Sequence, residues 1–95
     1  MTLTDSPVTL NAAARRFEIH LSGHIAYAEF KPFAGGMAFV HTVVPKALEG
    51  QGLGSRVVRH ALDHAVRQGL KIRADCSFVK TYIERHPQYQ PHTVA

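Results

Sequence analysis

Three glycines at alternating positions, Gly50, Gly52 and Gly54, mark the segment of this sequence best suited to chemistry. Glycine lets the backbone turn tightly and approach a ligand without obstruction by a side chain. The segment lies just before a predicted helix, whose first N–H groups and dipole favour an anion, above all a phosphate. A turn that binds nothing is the alternative. The expected phosphate-binding residues are Gly50, Gln51, Gly52, Leu53, Gly54 and Ser55.

Two common nucleotide-binding loops do not fit this segment. An ATP-binding loop ends in Gly-Lys-Ser/Thr, whereas here Gly54 is followed directly by Ser55. A dinucleotide fingerprint needs a third glycine after two intervening residues, and the two possible positions hold Ser55 and Val57. Coenzyme A remains as the candidate ligand, with its pyrophosphate on the loop and its pantetheine arm along a strand.

The elements that position this loop follow from the period of the apolar residues. Alternation at every second residue predicts strands, and an apolar stripe of helical period predicts a helix. The order is strand, strand, strand, helix, strand, helix, an α/β (α+β) arrangement in which three antiparallel strands precede a crossover to a parallel neighbour. The predicted strands cover residues 16–21, 24–30, 37–44 and 70–76, the helices cover 53–68 and 78–86, and turns lie at 22–23 and 31–36.

The chain has 95 residues and a mass of 10.5 kDa, which is enough for one domain. A doubly wound nucleotide-binding fold and a TIM barrel are both too large for it. We therefore expect a single domain over residues 1–95. Residues 1–14 are expected to form a loose arm or a short edge element, and residues 87–95 a tail with little apolar content.

The formal net charge is +4 and the isoelectric point is about 9.6, but no block of five or more basic residues occurs. Nucleic-acid binding is therefore not favoured. A single cysteine excludes an intramolecular disulfide and zinc sites with paired cysteines, and we expect no metal. No secretory signal and no long apolar run is visible, so we expect a soluble, cytoplasmic protein that does not enter a membrane.

The glycine loop resembles motif A of the GNAT superfamily of acyl-CoA-dependent N-acetyltransferases, whose pattern is Gln/Arg-x-x-Gly-x-Gly/Ala. Residues 52–54 match its glycines, and Glu49 stands where Gln or Arg is usual. Further segments are similar, in the same order, to the small stand-alone N-acetyltransferase-domain proteins of this superfamily. These segments are residues 41–45, 48–54, 76–79, 82–83 and 85–87.

The resemblance covers roughly residues 15–89 and implies a compact, minimal GNAT fold. It implies that acetyl-CoA lies in a cleft between two splayed parallel strands and donates its acetyl group to an amine, which the sequence does not name. It also implies that backbone amides near Val43 and Val44 contact the developing oxyanion. A module that binds acyl-CoA or bridges proteins without turnover is the alternative, because little chain remains to build an acceptor pocket.

Cys76 and His41 are the expected catalytic residues. The related small proteins carry a cysteine at the place of Cys76, where it is their suspected catalytic residue; it could relay a proton or take the acetyl group as a thiolate. His41 is expected on the same strand face as Phe39 and Val43, as a general base or a partner of Cys76. The structural alternatives are a small buried apolar side chain for Cys76 and a satisfied core or cleft histidine for His41.

Several further side chains are candidates for contacts with CoA. Tyr82 invites comparison with the tyrosine that protonates the CoA thiolate in larger family members, but its spacing from Val79 differs, and we expect a packed aromatic. A basic set could contact the 3′-phosphate of CoA, with a solvated surface as the alternative. This set comprises Arg56, Arg59, Lys80 and Arg85.

Overall fold

Five strands and two α-helices form the part of the chain that the structure, a computed structural model, describes, which is residues 6–95. The strands are β1 (Val8–Asn11), β2 (Arg16–Leu21), β3 (His24–Phe33), β4 (Gly36–Val43) and β5 (Lys71–Ala74). The α-helices are α1 (Leu53–Arg67) and α2 (Ser77–Arg85), and two 3₁₀ helices span Lys46–Leu48 and Pro87–His92.

All five strands lie in one sheet in the order β1-β2-β3-β4-β5. Neighbours from β1 to β4 run antiparallel, whereas β4 and β5 run parallel and are connected through α1. The predicted α+β arrangement with its mixed sheet is confirmed. The structure adds one strand, β1, at the edge beside β2.

Helix α1 covers one face of the sheet. Its apolar stripe packs on β2 and β3, where Phe17 lies opposite Ala28 and Ile19 lies opposite Ala26. The two alanines leave room for the helix, and all four side chains are fully buried. The buried residues of the stripe are Leu53, Val57, Val58, Ala61, Leu62 and Ala65.

Strand β3 extends beyond its predicted end at residue 30 to Phe33, so it includes Pro32. Proline has no N–H, and within a sheet it is tolerated where one strand edge has no partner. The pairing of β2 with β3 stops at Glu29, so β3 has no β2 residue opposite it beyond that point. The predicted turn is therefore shorter, and β4 begins at Gly36.

Both predicted end segments contribute to the fold. Residues 1–5 of the expected arm lie outside the described residues, and Val8–Asn11 form the edge strand β1. At the other end, Tyr89 is 4% exposed and its O–H donates to Asp63 Oδ1 at 2.6 Å. The N–H of Val94 donates to the Ile72 carbonyl at 2.8 Å. The expectation of a tail at 87–95 is wrong, because a buried tyrosine and backbone bonds hold this segment to the domain.

A β-bulge interrupts the pairing of β3 with β4. Glu29 lies opposite His41 and Phe30 lies opposite Phe39, so Val40 is the extra residue of β4. A bulge reverses the alternation of side chains along the strand that follows it. After the bulge Thr42 lies opposite the buried Ala28, on the face that α1 covers, and His41 lies on the opposite face, which we call the open face.

Glu18 is a carboxylate buried on the open face, with 4% of its surface exposed. It accepts hydrogen bonds from Asn11 Nδ2 at 3.1 Å and from Arg16 Nε, and it contacts His20 Nε2 at 2.9 Å. Desolvation by burial acts to raise the pKa of Glu18, but the hydrogen bonds from His20, Arg16 and Asn11 outweigh it. The pKa of Glu18 therefore lies below its ordinary value.

The variant Glu18→Gln is expected to be less stable at neutral pH and less sensitive to acid. Because the folded pKa is lowered, the carboxylate contributes stability above the ordinary pKa of 4.5 that is lost as the pH falls through the folded pKa. Loss of these charge-assisted hydrogen bonds should lower the free energy of unfolding by about 1–2 kcal/mol at neutral pH. Urea unfolding across the acid range measures this, with the exposed Glu84→Gln as the control. Identical acid sensitivity of wild type and Glu18→Gln would contradict it.

Candidate functional site

The glycine loop leads into the N-terminus of α1. Gly50 has φ of 85° and Gly52 has φ of 72°, values that glycine adopts without strain. Gly52 is the N-cap residue, no side chain caps the helix, and its first turn holds no acidic residue. The first helical bond runs from the Arg56 N–H to the Gly52 carbonyl at 3.1 Å. The N–H groups of residues 53–55 precede that bond and are available to an anion.

A groove of about 320 Å³ lies against this loop. Its lining residues are Val44, Leu48, Glu49, Gly50, Gly52, Leu53, Gly54, Ser55 and Phe78. A second groove of about 380 Å³ shares Ser55 and Phe78 with the first and extends along α2. Of the predicted binding residues, Gln51 and Val43 are exposed and outside both linings. The side chain of Leu53 is 2% exposed, so mainly its backbone can reach a ligand.

Gly54 brings α1 close to the other side of the groove. A Cβ at this position would lie 3.0 Å from Phe78 Cζ and 3.3 Å from Val44 Cγ2. Phe78 is 41% exposed, which is a large exposed fraction for an aromatic side chain. The glycine therefore sets the close approach of α1 to β4 and α2, and Phe78 is a lining residue that the sequence interpretation missed.

The two parallel strands separate beside this groove. Their pairing ends with Phe39 opposite Ala74, followed by a bond of 3.0 Å from the Asp75 N–H to the Phe39 carbonyl. Beyond Phe39, β4 continues to Val43 with β3 as its only strand partner, while the segment that follows β5 turns into α2. The split between β4 and β5 is the splayed arrangement that the resemblance implied.

Cys76 lies at this split and is the N-cap residue of α2. Its side chain is partly buried, and Sγ lies 3.5 Å from Oγ1 of Thr42. Burial acts to raise the pKa of the thiol, but the hydroxyl of Thr42 and the backbone N–H groups of Val79, Phe78 and Thr42 outweigh it. The pKa of Cys76 is therefore lowered, which favours the reactive thiolate form.

His41 does not lie beside Cys76. The expectation that it shares a strand face with Phe39 is wrong, because the bulge at Val40 reverses the alternation. His41 is exposed on the open face, opposite Glu29, and its place next to the sulfur is taken by Thr42. The run of residues 37–44 is rich in β-branched residues but contains no clear signal for such a bulge, so the sequence interpretation missed Thr42. A general-base role for His41 remains a prediction.

Tyr82 is a packed aromatic. Its ring stacks on His86 with 3.9 Å between the centroids, and Nδ1 of His86 lies 2.7 Å from the Tyr82 carbonyl oxygen. Burial raises the pKa of Tyr82, which makes its hydroxyl a poorer proton donor. Both rings line the second groove, so they form a wall of it.

The four basic candidates lie in different places. Arg85 lines the second groove, which adjoins the groove against the glycine loop because both are lined by Ser55. Arg56 and Arg59 line a separate groove together with β1, and Nη2 of Arg56 donates to the Ser6 carbonyl at 2.6 Å. Lys80 lines a further groove beside β5. Arg85 is therefore the one of the four placed to contact a ligand that starts at the loop.

The family model for GCN5-related N-acetyltransferases matches residues 16–92, which include both sides of the groove and Cys76. The protein belongs to this family. The GCN5-related fold accounts for the split between β4 and β5 and for the glycine loop before α1.

Known proteins support the same assignment. Protein NATD1 of Gallus gallus is 35% identical over 54 residues, 55% of this chain and 49% of that protein. Protein NATD1 of Mus musculus is 29% identical over 76 residues, 77% of this chain and 69% of that protein. The chain thus spans about half of the chicken protein that it matches.

A solved structure shows the same fold. The solution structure of a GCN5-like candidate N-acetyltransferase from Staphylococcus aureus superposes with a TM-score of 0.69 at 26% identity. The match covers 100% of this chain and 92% of the other. The aligned part of this chain therefore includes the segments that form β1 and the C-terminal 3₁₀ helix.

Within residues 6–95, no group of three or more His, Cys, Asp or Glu side chains is arranged to hold a metal ion. In the same residues, no helix has both the length and the apolar character needed to cross a bilayer.

Proposed function

We propose that this acetyltransferase takes its acetyl group from acetyl-CoA and transfers it to an amine through Cys76. The carrying observation is the groove at the uncapped N-terminus of α1, whose lining residues Val44 and Phe78 belong to the two segments that separate at the β4–β5 split. Family membership supports the reaction type. The geometry supports the choice of cosubstrate, because the groove combines a helix N-terminus that suits an anion with the apolar side chains of Val44, Leu48 and Phe78.

The loop fits the diphosphate of CoA. A Cβ at Gly50 or Gly52 would meet no protein atom within 4 Å, so the space beside both backbones is open to a ligand. The N–H groups of residues 53–55 and the Ser55 hydroxyl supply donors, and the helix dipole favours the negative charge. Arg85 in the second groove is the proposed contact of the 3′-phosphate, and Phe78 packs against the pantetheine arm.

Cys76 is the proposed nucleophile. Its thiolate attacks the acetyl carbonyl, the bond from that carbon to the CoA sulfur breaks, and the departing thiolate takes a proton from solvent. The acetyl group is then held on Sγ as a thioester. A neutral amine attacks this carbonyl, the bond to Sγ breaks, the Cys76 thiolate returns, and the proton of the amine passes to a base or to water.

The strand that ends at Val43 supplies the proposed oxyanion contacts. The backbone amides of Val43 and Val44 lie where β4 ends beside the split, and Val44 lines the groove. Hydrogen bonds from such amides become stronger as the carbonyl oxygen gains charge in the transition state. His41 is the proposed base for an amine that approaches from the open face, because its ring is exposed there.

Turnover with acetyl-CoA tests the proposal. Free CoA thiol is measured while the protein is incubated with acetyl-CoA and a panel of lysine peptides, protein N-termini, polyamines and small amines. The expected result is thiol release above the buffer rate with at least one acceptor, with the acetyl group recovered on its nitrogen. Calorimetry with CoA on the same preparation measures the affinity directly.

The same experiment identifies a non-catalytic module. CoA binding without thiol release from any acceptor class would contradict the enzymatic part and leave an acyl-CoA-binding protein. No heat of binding with millimolar CoA would contradict the choice of cosubstrate. Retention of an acetyl group on the protein after incubation with acetyl-CoA alone would support the proposed intermediate, provided that alkylation of Cys76 before the incubation prevents it.

A further inference from the structure

The Cys76 sulfur has one side-chain hydrogen-bonding partner among the described residues, the hydroxyl of Thr42. The two atoms are 3.5 Å apart and belong to residues 34 positions apart in the chain. This contact crosses the split between β4 and the start of α2. It exists because the bulge at Val40 turns Thr42, rather than His41, toward the helix-covered face.

No formal charge accounts for the environment of the sulfur. Asp75 precedes Cys76, but its carboxylate is held by Arg73 through contacts of 2.9 and 3.1 Å. Lys80 lies one turn along α2, exposed, and donates its backbone N–H to the Cys76 carbonyl. His41 points to the opposite face of β4. The groups that act on the thiol are the Thr42 hydroxyl and backbone N–H groups.

We propose that Thr42 is a positioning residue, which holds the Cys76 sulfur at the β4–β5 split and stabilises its thiolate by donating the hydroxyl proton. The inference rests on the proposed function in one respect only, namely that the proposed acetyl transfer uses this thiolate as its nucleophile. A thiolate has no proton to donate, so in this state the Thr42 hydroxyl must be the donor. Its γ-methyl group and β-branched shape also suit the strand, which keeps the hydroxyl in place.

The test is the pH dependence of Cys76 alkylation by iodoacetamide. Cys76 is the only cysteine in the chain, so the reaction reports on one sulfur. In Thr42→Val, which keeps the shape and removes the hydroxyl, the alkylation rate at neutral pH should fall about tenfold and the midpoint of the profile should move to higher pH. Thr42→Ser should restore the wild-type profile. Thr9→Val, the same change at an exposed position of β1, is the control and should leave the profile unchanged.

A second pair of variants keeps the test informative if Thr42→Val does not fold correctly. Thr42→Ser and Thr42→Ala both lack the γ-methyl group and differ only in the hydroxyl. A slower rate and a higher midpoint in the alanine variant than in the serine variant support the proposal. Equal profiles for this pair would overturn it.

Alkylation needs neither acetyl-CoA nor an acceptor, so its result is independent of the proposed function. Once an acceptor amine is identified, Thr42→Val should lower kcat about tenfold and leave KM for acetyl-CoA nearly unchanged. A shifted alkylation profile in a protein without transferase activity would support Thr42 and contradict the enzyme. An unshifted profile in an active enzyme would contradict Thr42 alone.

Discussion

The variant Cys76→Ala is expected to lose acetyl transfer, by about 100-fold or more in kcat, while binding CoA with nearly unchanged affinity. Cys76 lies at the β4–β5 split and lines neither groove, whereas the glycine loop lines the first groove. Removal of a nucleophile abolishes the covalent route and leaves the remote phosphate contacts intact. Steady-state turnover and calorimetry with CoA on the same preparation measure the two quantities separately.

Cys76→Ser provides the matched comparison. Serine is close to cysteine in size and keeps a polar atom near Thr42, but its hydroxyl is not deprotonated at neutral pH. It should therefore be as inactive as alanine, and neither variant should carry an acetyl group after incubation with acetyl-CoA. Wild-type turnover in both variants, with unchanged melting temperature, would return Cys76 to a packing role at the N-terminus of α2.

The variant Gly52→Val is expected to lose CoA affinity by about 100-fold or more. Gly52 has φ of 72°, which a β-branched residue adopts only with strain. This backbone angle orients the first N–H groups of α1 toward the proposed diphosphate site. The new side chain would also project into space that is open in the wild type. Saturating CoA should raise the melting temperature of the wild type by roughly 10–20 °C and that of the variant hardly at all.

Gly23→Val separates the loss of binding from the loss of stability. Gly23 has φ of 77° in the turn between β2 and β3, and a Cβ there also meets nothing within 4 Å. The same substitution thus imposes similar backbone strain at a position remote from the groove. Both variants should melt at a lower temperature than the wild type, but Gly23→Val should keep the full shift with CoA. An equal shift in Gly52→Val would exclude the loop from the CoA site.

The helices and most strands could be predicted because their signals are local. The apolar stripe from Leu53 to Ala65 has the helical period. Gly69 follows α1 with φ of 69°, and the N–H groups of Gly69 and Leu70 donate to the carbonyls of Val66 and Ala65, which ends the helix. The resemblance at the glycine loop was equally local, since the family motif is a short run of residues. The fold class and the family were therefore within reach of the sequence.

The edges of the fold were harder to predict because their stability comes from distant partners. Strand β1 is short and is held by β2, and Tyr89 is buried through a bond to Asp63 on α1. Glu18 occupies a strand position that alternation marks as exposed, yet three polar neighbours bury it. No local pattern records these contacts, so composition alone indicated loose ends and a polar surface.

The sequence by itself determined the order of the main elements, the glycine loop before α1 and the presence of a single cysteine. The tertiary structure alone decided which side chain meets that cysteine. One extra residue at Val40 reverses the faces of β4, which sends His41 to the open face and brings Thr42 within 3.5 Å of the sulfur. A bulge depends on how two strands pair across the sheet, and that pairing is a property of the folded chain rather than of any short stretch of residues.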